Sequence, residues 1–284
     1  MVWSCLVSIL PGMAQTEKLT DYVNPFVGTD GYGNVYPGAQ IPFGGIQISP
    51  DTDSRFYDAA SGYKYNHLTL MGFSLTHLSG TGIPDLGDFL FIPGTGEMKL
   101  EPGTHEDPDQ GYRSRYSHDK EWASPNYYAV ELADYGVKAE MTSGVRSGMF
   151  RFTYPESDNA FIMLDMNHTL WQSCEWSNLR MINDSTITGY KLVKGWGPER
   201  HVYFTATFSK KLTGLRFVQD KKPVIYNTSR FRSSYEAWGK NLMACISFDT
   251  KAGEEVKVKT CSYAVSTDGA RNNMKELDGL TINE

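Results

Sequence analysis

The 284-residue sequence predicts an all-β protein built as one large antiparallel β-sandwich, and three observations carry that expectation. From Tyr127 onward, apolar and polar residues alternate with period two in run after run, the pattern of strands with one buried face. Turn-forming Gly, Pro, Asn and Asp separate the runs. Scarcely any stretch between them has helical spacing, so sheet must pack on sheet.

The runs are Tyr127 to Leu132, Val137 to Thr142, Gly148 to Tyr154, Ala160 to Met166, Thr186 to Val193, Val202 to Phe208, Leu242 to Phe248 and Glu255 to Ala264. In the sixth, Val202, Phe204, Ala206 and Phe208 point one way while Tyr203, Thr205 and Thr207 point the other. Before them, Asp21 to about Gly111 is rich in loop-forming residues, with short strand signals at Gly45 to Ser49 and Asp88 to Ile92. Near the end, Ser266 or Thr267 is placed to cap a short helix through Ala270, Asn273, Met274 and Leu277. The sandwich is therefore expected over 15–265, and 266–284 reads as the start of a linker or as a helix lying across the sandwich.

A net charge of −6 without any Lys/Arg cluster leaves no footprint for nucleic acid or an anionic membrane. Past Glu17 no run approaches the ~20 apolar residues of a membrane helix. Val2 to Ala14 is uncharged and mostly apolar and ends in Gly-Met-Ala. That pattern fits the core and cleavage site of a secretory signal over 1–14, although the positive start of such a signal is missing. A buried strand is the alternative. Cys174, Cys245 and Cys261 would remain after removal of Cys5, and this odd number does not read as a disulfide framework. Cys245 and Cys261 fall on neighbouring predicted strands and are placed to pair, with buried free thiols the favoured reading. No Cys-x-x-Cys or His-Glu-x-x-His spacing marks a metal site.

Two segments are dense in Gly and polar residues, Asn24 to Gly44 and Ser61 to Asp88, and long ordered loops of this kind are usually kept for function. Gly28, Gly31 and Gly33 superficially suggest a phosphate loop, but no helix follows and no Lys-Ser/Thr completes it. Taken in order, Asn24-Pro-Phe-Val-Gly-Thr, Tyr36-Pro-Gly-Ala, Ser49-Pro-Asp-Thr and Gly72-Phe-Ser-Leu-Thr-His-Leu-Ser-Gly-Thr-Gly resemble the N-terminal domain of glycoside hydrolase family 92, the calcium-dependent exo-acting α-mannosidases. The likeness runs from about Leu19 to Asn273 and is strongest between Asn24 and Gly96.

That resemblance implies a β-sandwich of the supersandwich type preceding a helical toroid, with the active site between them. In the family the general acid, the general base and most calcium contacts come from the helical domain, which would lie beyond Glu284. A mannose-containing glycan and the helical domain are the implied partners, calcium is the implied ion of the complete enzyme, and the bacterial periplasm or cell surface is the implied location. No catalytic residue and no metal ligand is expected within this chain. The expected substrate wall is Tyr57, Asp58, His77 and Asp85. Tyr57 stands where many members that cleave α-1,2 linkages carry Trp, and its ring can still stack on a sugar. Asp58 is suited to accept from sugar hydroxyls or to hold a turn, and His77 to contact sugar or to pin the Ser79-Gly80-Thr81-Gly82 loop.

Asp85 and Asp88 make a poor catalytic pair, because their odd spacing at a strand entry points them apart and nothing nearby desolvates either one. Both are instead suited to bonding backbone amides in the turn after Pro84. Asp51 and Asp53 are too few for a calcium site and suit a turn after Ser49-Pro50. A stand-alone carbohydrate-binding module without hydrolysis is the competing reading.

Overall fold

The computed structural model describes residues 18–54, 57–225 and 235–282, so the candidate signal over 1–14 lies outside the described residues. The loop-rich first third supplies β1 (Ser49–Asp51), β2 (Thr69–Leu70), β3 (Gly72–Ser74), β4 (Leu90–Thr95) and β5 (Ser114–Arg115). The middle supplies β6 (Glu121–Ser124), β7 (Tyr127–Leu132), β8 (Val137–Ser143), β9 (Ser147–Tyr154), β10 (Ser157–Asp165) and β11 (Ser173–Asn183). The last third supplies β12 (Thr186–Lys194), β13 (Arg200–Phe208), β14 (Gly214–Gln219), β15 (Lys222–Pro223), β16 (Glu236–Gly239), β17 (Leu242–Thr250) and β18 (Glu254–Tyr263).

These strands form a seven-stranded sheet in the order β1-β3-β4-β10-β17-β14-β15, a nine-stranded sheet in the order β16-β11-β12-β13-β18-β9-β8-β7-β6, and the small pair β2-β5. The pairings are antiparallel, so the expected all-β sandwich is what the chain forms. Aromatic rings from both sheets lock the two layers together. Phe91 of β4 meets Phe150 of β9 at a centroid distance of 4.9 Å, and Phe89 meets Phe204 of β13 at 4.6 Å.

β4 and β10 read as unbroken apolar runs because both faces of the seven-stranded sheet are covered. Phe91 and Ile162 face the main core, while Leu90, Ile92, Phe161 and Met163 pack outward against Met71, Tyr112 and Met243. The segment around Met98 to Tyr112 supplies that outer cover.

Two strand expectations shift for local reasons, and a third strand, β11, falls in none of the expected runs. The run at Gly45 to Ser49 pairs only through an Ile48–Ala39 bridge, and the strand itself begins at Ser49. Phe89 adopts φ +62°, a left-handed conformation that interrupts the ladder and delays β4 to Leu90. β11, eleven residues long, has no clean alternation because a bulge between Cys174 and Trp176 shifts its register.

The favoured reading of Cys245 and Cys261 as free thiols holds, and their alternative pairing does not. β17 and β18 are consecutive in sequence but lie in different sheets, and Cys174, Cys245 and Cys261 are buried free thiols. Burial pushes the Cys261 thiol up to about 12.

The C-terminal helix α1 (Thr267–Asn273) is capped by Ser266, whose Oγ accepts from Gly269 N at 3.0 Å. It lies across the outer face of β18 and β13, where a Cβ on Gly269 would sit 2.3 Å from the Tyr263 ring. No helix among the described residues is long and apolar enough to cross a membrane.

Phe150 contacts Phe73, Phe91 and Phe152 and is fully buried. Phe150→Ala is expected to cost about 3–5 kcal/mol in urea denaturation. A loss below about 1 kcal/mol would contradict the role given to this ring in joining the sheets.

Candidate functional site

Several loops named by the sequence motifs converge at Asp51, the last residue of β1. Its carboxylate is fully buried between two imidazoles: His77 Nε2 donates to Oδ1 and His168 Nε2 to Oδ2, each at 2.8 Å. His77 Nδ1 donates to the Gln47 carbonyl at 2.7 Å, so both ring nitrogens are engaged. Burial alone would raise the Asp51 carboxyl, but the charge and hydrogen bonds of His77 and His168 outweigh it and hold the group well below the usual carboxylate range.

Gly62 is required beside this centre. It has φ +87°, and a Cβ there would lie 2.1 Å from Asp51 Oδ1. Thr52 N in turn donates to the Gly62 carbonyl at 2.6 Å. Thus β1, the loop at Gly62, the loop at His77 and the segment at His168 are fixed to one another.

A second buried centre adjoins the first. Lys191 points inward from β12 and is fully buried, with Nζ 3.1 Å from Asp88 Oδ1 and donating to the His168 carbonyl at 2.6 Å. Arg200 pairs with the same carboxylate, and Thr76 Oγ1 donates to Asp88 Oδ2 at 2.8 Å. Burial would raise Asp88, but Lys191 and Arg200 more than reverse that effect and keep it well below its ordinary value.

At the surface beyond these centres lies a cavity of about 1020 Å³. Met71, Tyr112 and Met243 line it beside Asp165, Gln172 and Trp171. Trp171 is 53% exposed and Tyr57 is 56% exposed, and their rings approach to 5.1 Å between centroids at 52°. Asp165 caps the end of β10, accepts from Asn167 N at 2.8 Å and from Tyr112 Oη at 3.4 Å, and has its carboxyl raised by burial.

The four expected wall residues therefore have different settings. Tyr57 is exposed at the rim, paired with Trp171. His77 is 3% exposed, and its ring is occupied in holding Asp51 and Gln47. Asp85 Oδ1 accepts from Leu86 N at 2.6 Å and Oδ2 from Trp196 N at 3.2 Å, which ties its turn to the 195–199 loop. Asp58 belongs to the 3₁₀ turn Tyr57–Ala59, and its side chain lies outside what the structure describes.

Asp51 and Asp53 do not form the turn expected of them. Asp51 is a strand residue held by two histidines, and Asp53 Oδ2 is 3.4 Å from His105 Nε2. His168 and Trp171 escaped the sequence reading. The only signal for Trp171 was a large aromatic in the polar loop Asn167-His-Thr-Leu-Trp-Gln.

The comparisons with known proteins agree with this architecture. Residues 22–262 match the glycosyl hydrolase family 92 N-terminal domain, and the chain belongs to that family. Among solved structures it is similar to the family GH92 α-mannosidase BT3965 from Bacteroides thetaiotaomicron, with 98% identity, a TM-score of 0.92, and 94% of this chain and 36% of that one covered. BT3965 has also been solved in complex with mannoimidazole. The GH92 glycosyl hydrolase ccman5 is 26% identical at a TM-score of 0.77, covering 93% of this chain and 35% of its own. A curated relative, an uncharacterized secreted glycosidase of Arthroderma benhamiae, is 30% identical over 139 residues, which is 48% of this chain and 17% of the relative. The chain thus spans about a third of the solved enzymes it matches.

Because the Asp51 carboxyl is depressed on folding, its stabilising effect is fully present above the unfolded value of about 3.9 and is lost as pH falls below it. Asp51→Asn is expected to lose about 3 kcal/mol at pH 7, since its amide keeps one acceptor oxygen but turns an NH2 donor toward the other buried imidazole. The gap between variant and wild type should narrow below about pH 4. Thermal unfolding from pH 7 to pH 3 measures both, and a gap that widens on acidification would refute the assignment.

Proposed function

We propose that this chain is the N-terminal, cleft-forming domain of an exported α-mannosidase that removes terminal α-linked mannose with inversion, its catalytic carboxylates residing outside this chain. The observation that carries the proposal is the 98% identity over 94% of the chain with a GH92 α-mannosidase chain of which the match covers 36%. The secreted glycosidase among its relatives supports export.

The chemistry of the described residues is consistent with a wall rather than a reaction centre. Inversion needs a protonated carboxylic acid and a carboxylate base roughly 6.5–9.5 Å apart with water between them. Asp51 is held ionised by His77 and His168 and Asp88 by Lys191 and Arg200, while Asp85 is engaged by two backbone amides. Asp165 is the one carboxyl at the cavity with a raised value. The acids sharing that cavity are committed elsewhere, Glu101 to Lys221 and Asp220 to Asn241 Nδ2. Asp165 is thus a desolvated acid with no free carboxylate base beside it, so the pair that the reaction demands is not assembled among these described residues.

The calcium implied by the resemblance has no matching donor set here. Among the described residues no cluster of three or more His, Cys, Asp or Glu is arranged to hold a metal ion, and both oxygens of Asp51 and of Asp88 already accept hydrogen bonds. These carboxylates do not fit the ion. What the chain offers is the surface against which a glycan is held, with Tyr57 at its rim.

Two proteins test the proposal: residues 18–284 alone, and a longer chain in which this domain is joined to the remainder of the enzyme. The longer chain should release mannose from an α-mannoside with the β-anomer formed first, and residues 18–284 should release none. Mannose release by residues 18–284 alone would overturn the division of labour, and an inert longer chain would overturn the activity.

A further inference from the structure

The Trp171 ring projects from a backbone that a bulky residue rarely adopts. Its φ is +66°, in the left-handed region that favours glycine. The turn around it is over-determined: Leu170 N donates to the Leu86 carbonyl at 3.0 Å, Thr169 Oγ1 donates to the Gln172 carbonyl at 2.8 Å, and Gln172 N donates back to Thr169 Oγ1 at 3.3 Å. His168 at the base of the turn is held by Asp51, and its carbonyl by Lys191. Strain maintained by surroundings this tight, at a residue whose ring stays half exposed, is a mark of function rather than of packing.

The ring stands at the mouth of the 1020 Å³ cavity, and the next residue adds a second observation. Both polar atoms of the Gln172 side chain are buried, yet among the described residues neither has a hydrogen-bond partner. A donor and an acceptor left open in this turn can be met by a bridging water or by a ligand's hydroxyls. Asp165 and Tyr112 add an acceptor and a phenol to the same lining, while Met71 and Met243 provide apolar floor. Aromatic rim, apolar floor and convergent neutral polar groups describe a carbohydrate site.

We infer that this cavity binds the leaving-group portion of an extended mannose-containing oligosaccharide, with Trp171 as a specificity-determining residue that stacks on a sugar beyond the one bonded to the cleaved mannose. Trp171 packs against Tyr57, with ring centroids 5.1 Å apart. The inference rests on the proposed mannosidase reading and adds the length of substrate that the domain selects.

The test uses the full-length enzyme carrying this domain. kcat/KM is measured on an aryl α-mannoside, whose leaving group is too short to fill the cavity, and on an α-linked mannotetraose. Trp171→Ala should lower the ratio of tetraose to aryl mannoside about tenfold, the size expected for loss of one buried aromatic contact. Trp171→Phe should restore most of that ratio. Gln172→Ala, which leaves the ring in place, should lower the same ratio. A ratio unchanged in both Trp171→Ala and Gln172→Ala would overturn the inference, and so would equal losses on the two substrates. A wild-type enzyme that cleaves neither substrate would instead sink the mannosidase reading.

Discussion

The Asp51 carboxylate, buried between His77 and His168, is the constraint on which the rest of this end of the sandwich depends. A lone carboxylate in that position would be prohibitively costly to bury, and two imidazole donors make it tolerable. Because the two histidines come from segments 91 residues apart, the single acid fixes the loop after β3 to the segment after β10. Asp88, Lys191 and Arg200 repeat the device one layer further on, and the Lys191 bond to the His168 carbonyl links the two. The result is a rigid polar base beneath the surface loops.

Rigidity of this kind suits a cleft wall. Sugars present weak, directional hydroxyls and flat apolar faces, so a protein surface that binds them gains from rings and amides held in place beforehand. Tyr57 and Trp171 are placed by the loops that the buried centre holds, and their exposure is imposed by that framework rather than left to chance. The same framework commits Asp51, Asp85 and Asp88 to structural partners.

The sandwich was legible because its strands obey period two wherever one face meets solvent, as in Val202 to Phe208. It was less legible at β11, where a bulge and an exposed polar face obscure the alternation, and at Phe89, where a left-handed residue breaks the run. The Gly-rich loops pointed to the site region, and Gly62 now has a physical reason in its contact with Asp51. The partnership of Asp51 with His168 was not readable, since residues 117 apart carry no local signature. Cys245 and Cys261 are buried free thiols, the reading the sequence favoured over a disulfide. Adjacency of strands in sequence suggested contact, while the sandwich topology sends them to different sheets.

The central claim is that this domain holds the glycan and leaves the bond-breaking to carboxylates elsewhere. Its most direct test is a crystal structure of the full-length enzyme with an uncleaved mannose-terminated oligosaccharide. The account predicts a leaving-group sugar against the Trp171 ring and no carboxylate from residues 18–282 flanking the scissile bond. Asp165, or any other acid of this chain, in line with that bond would contradict it.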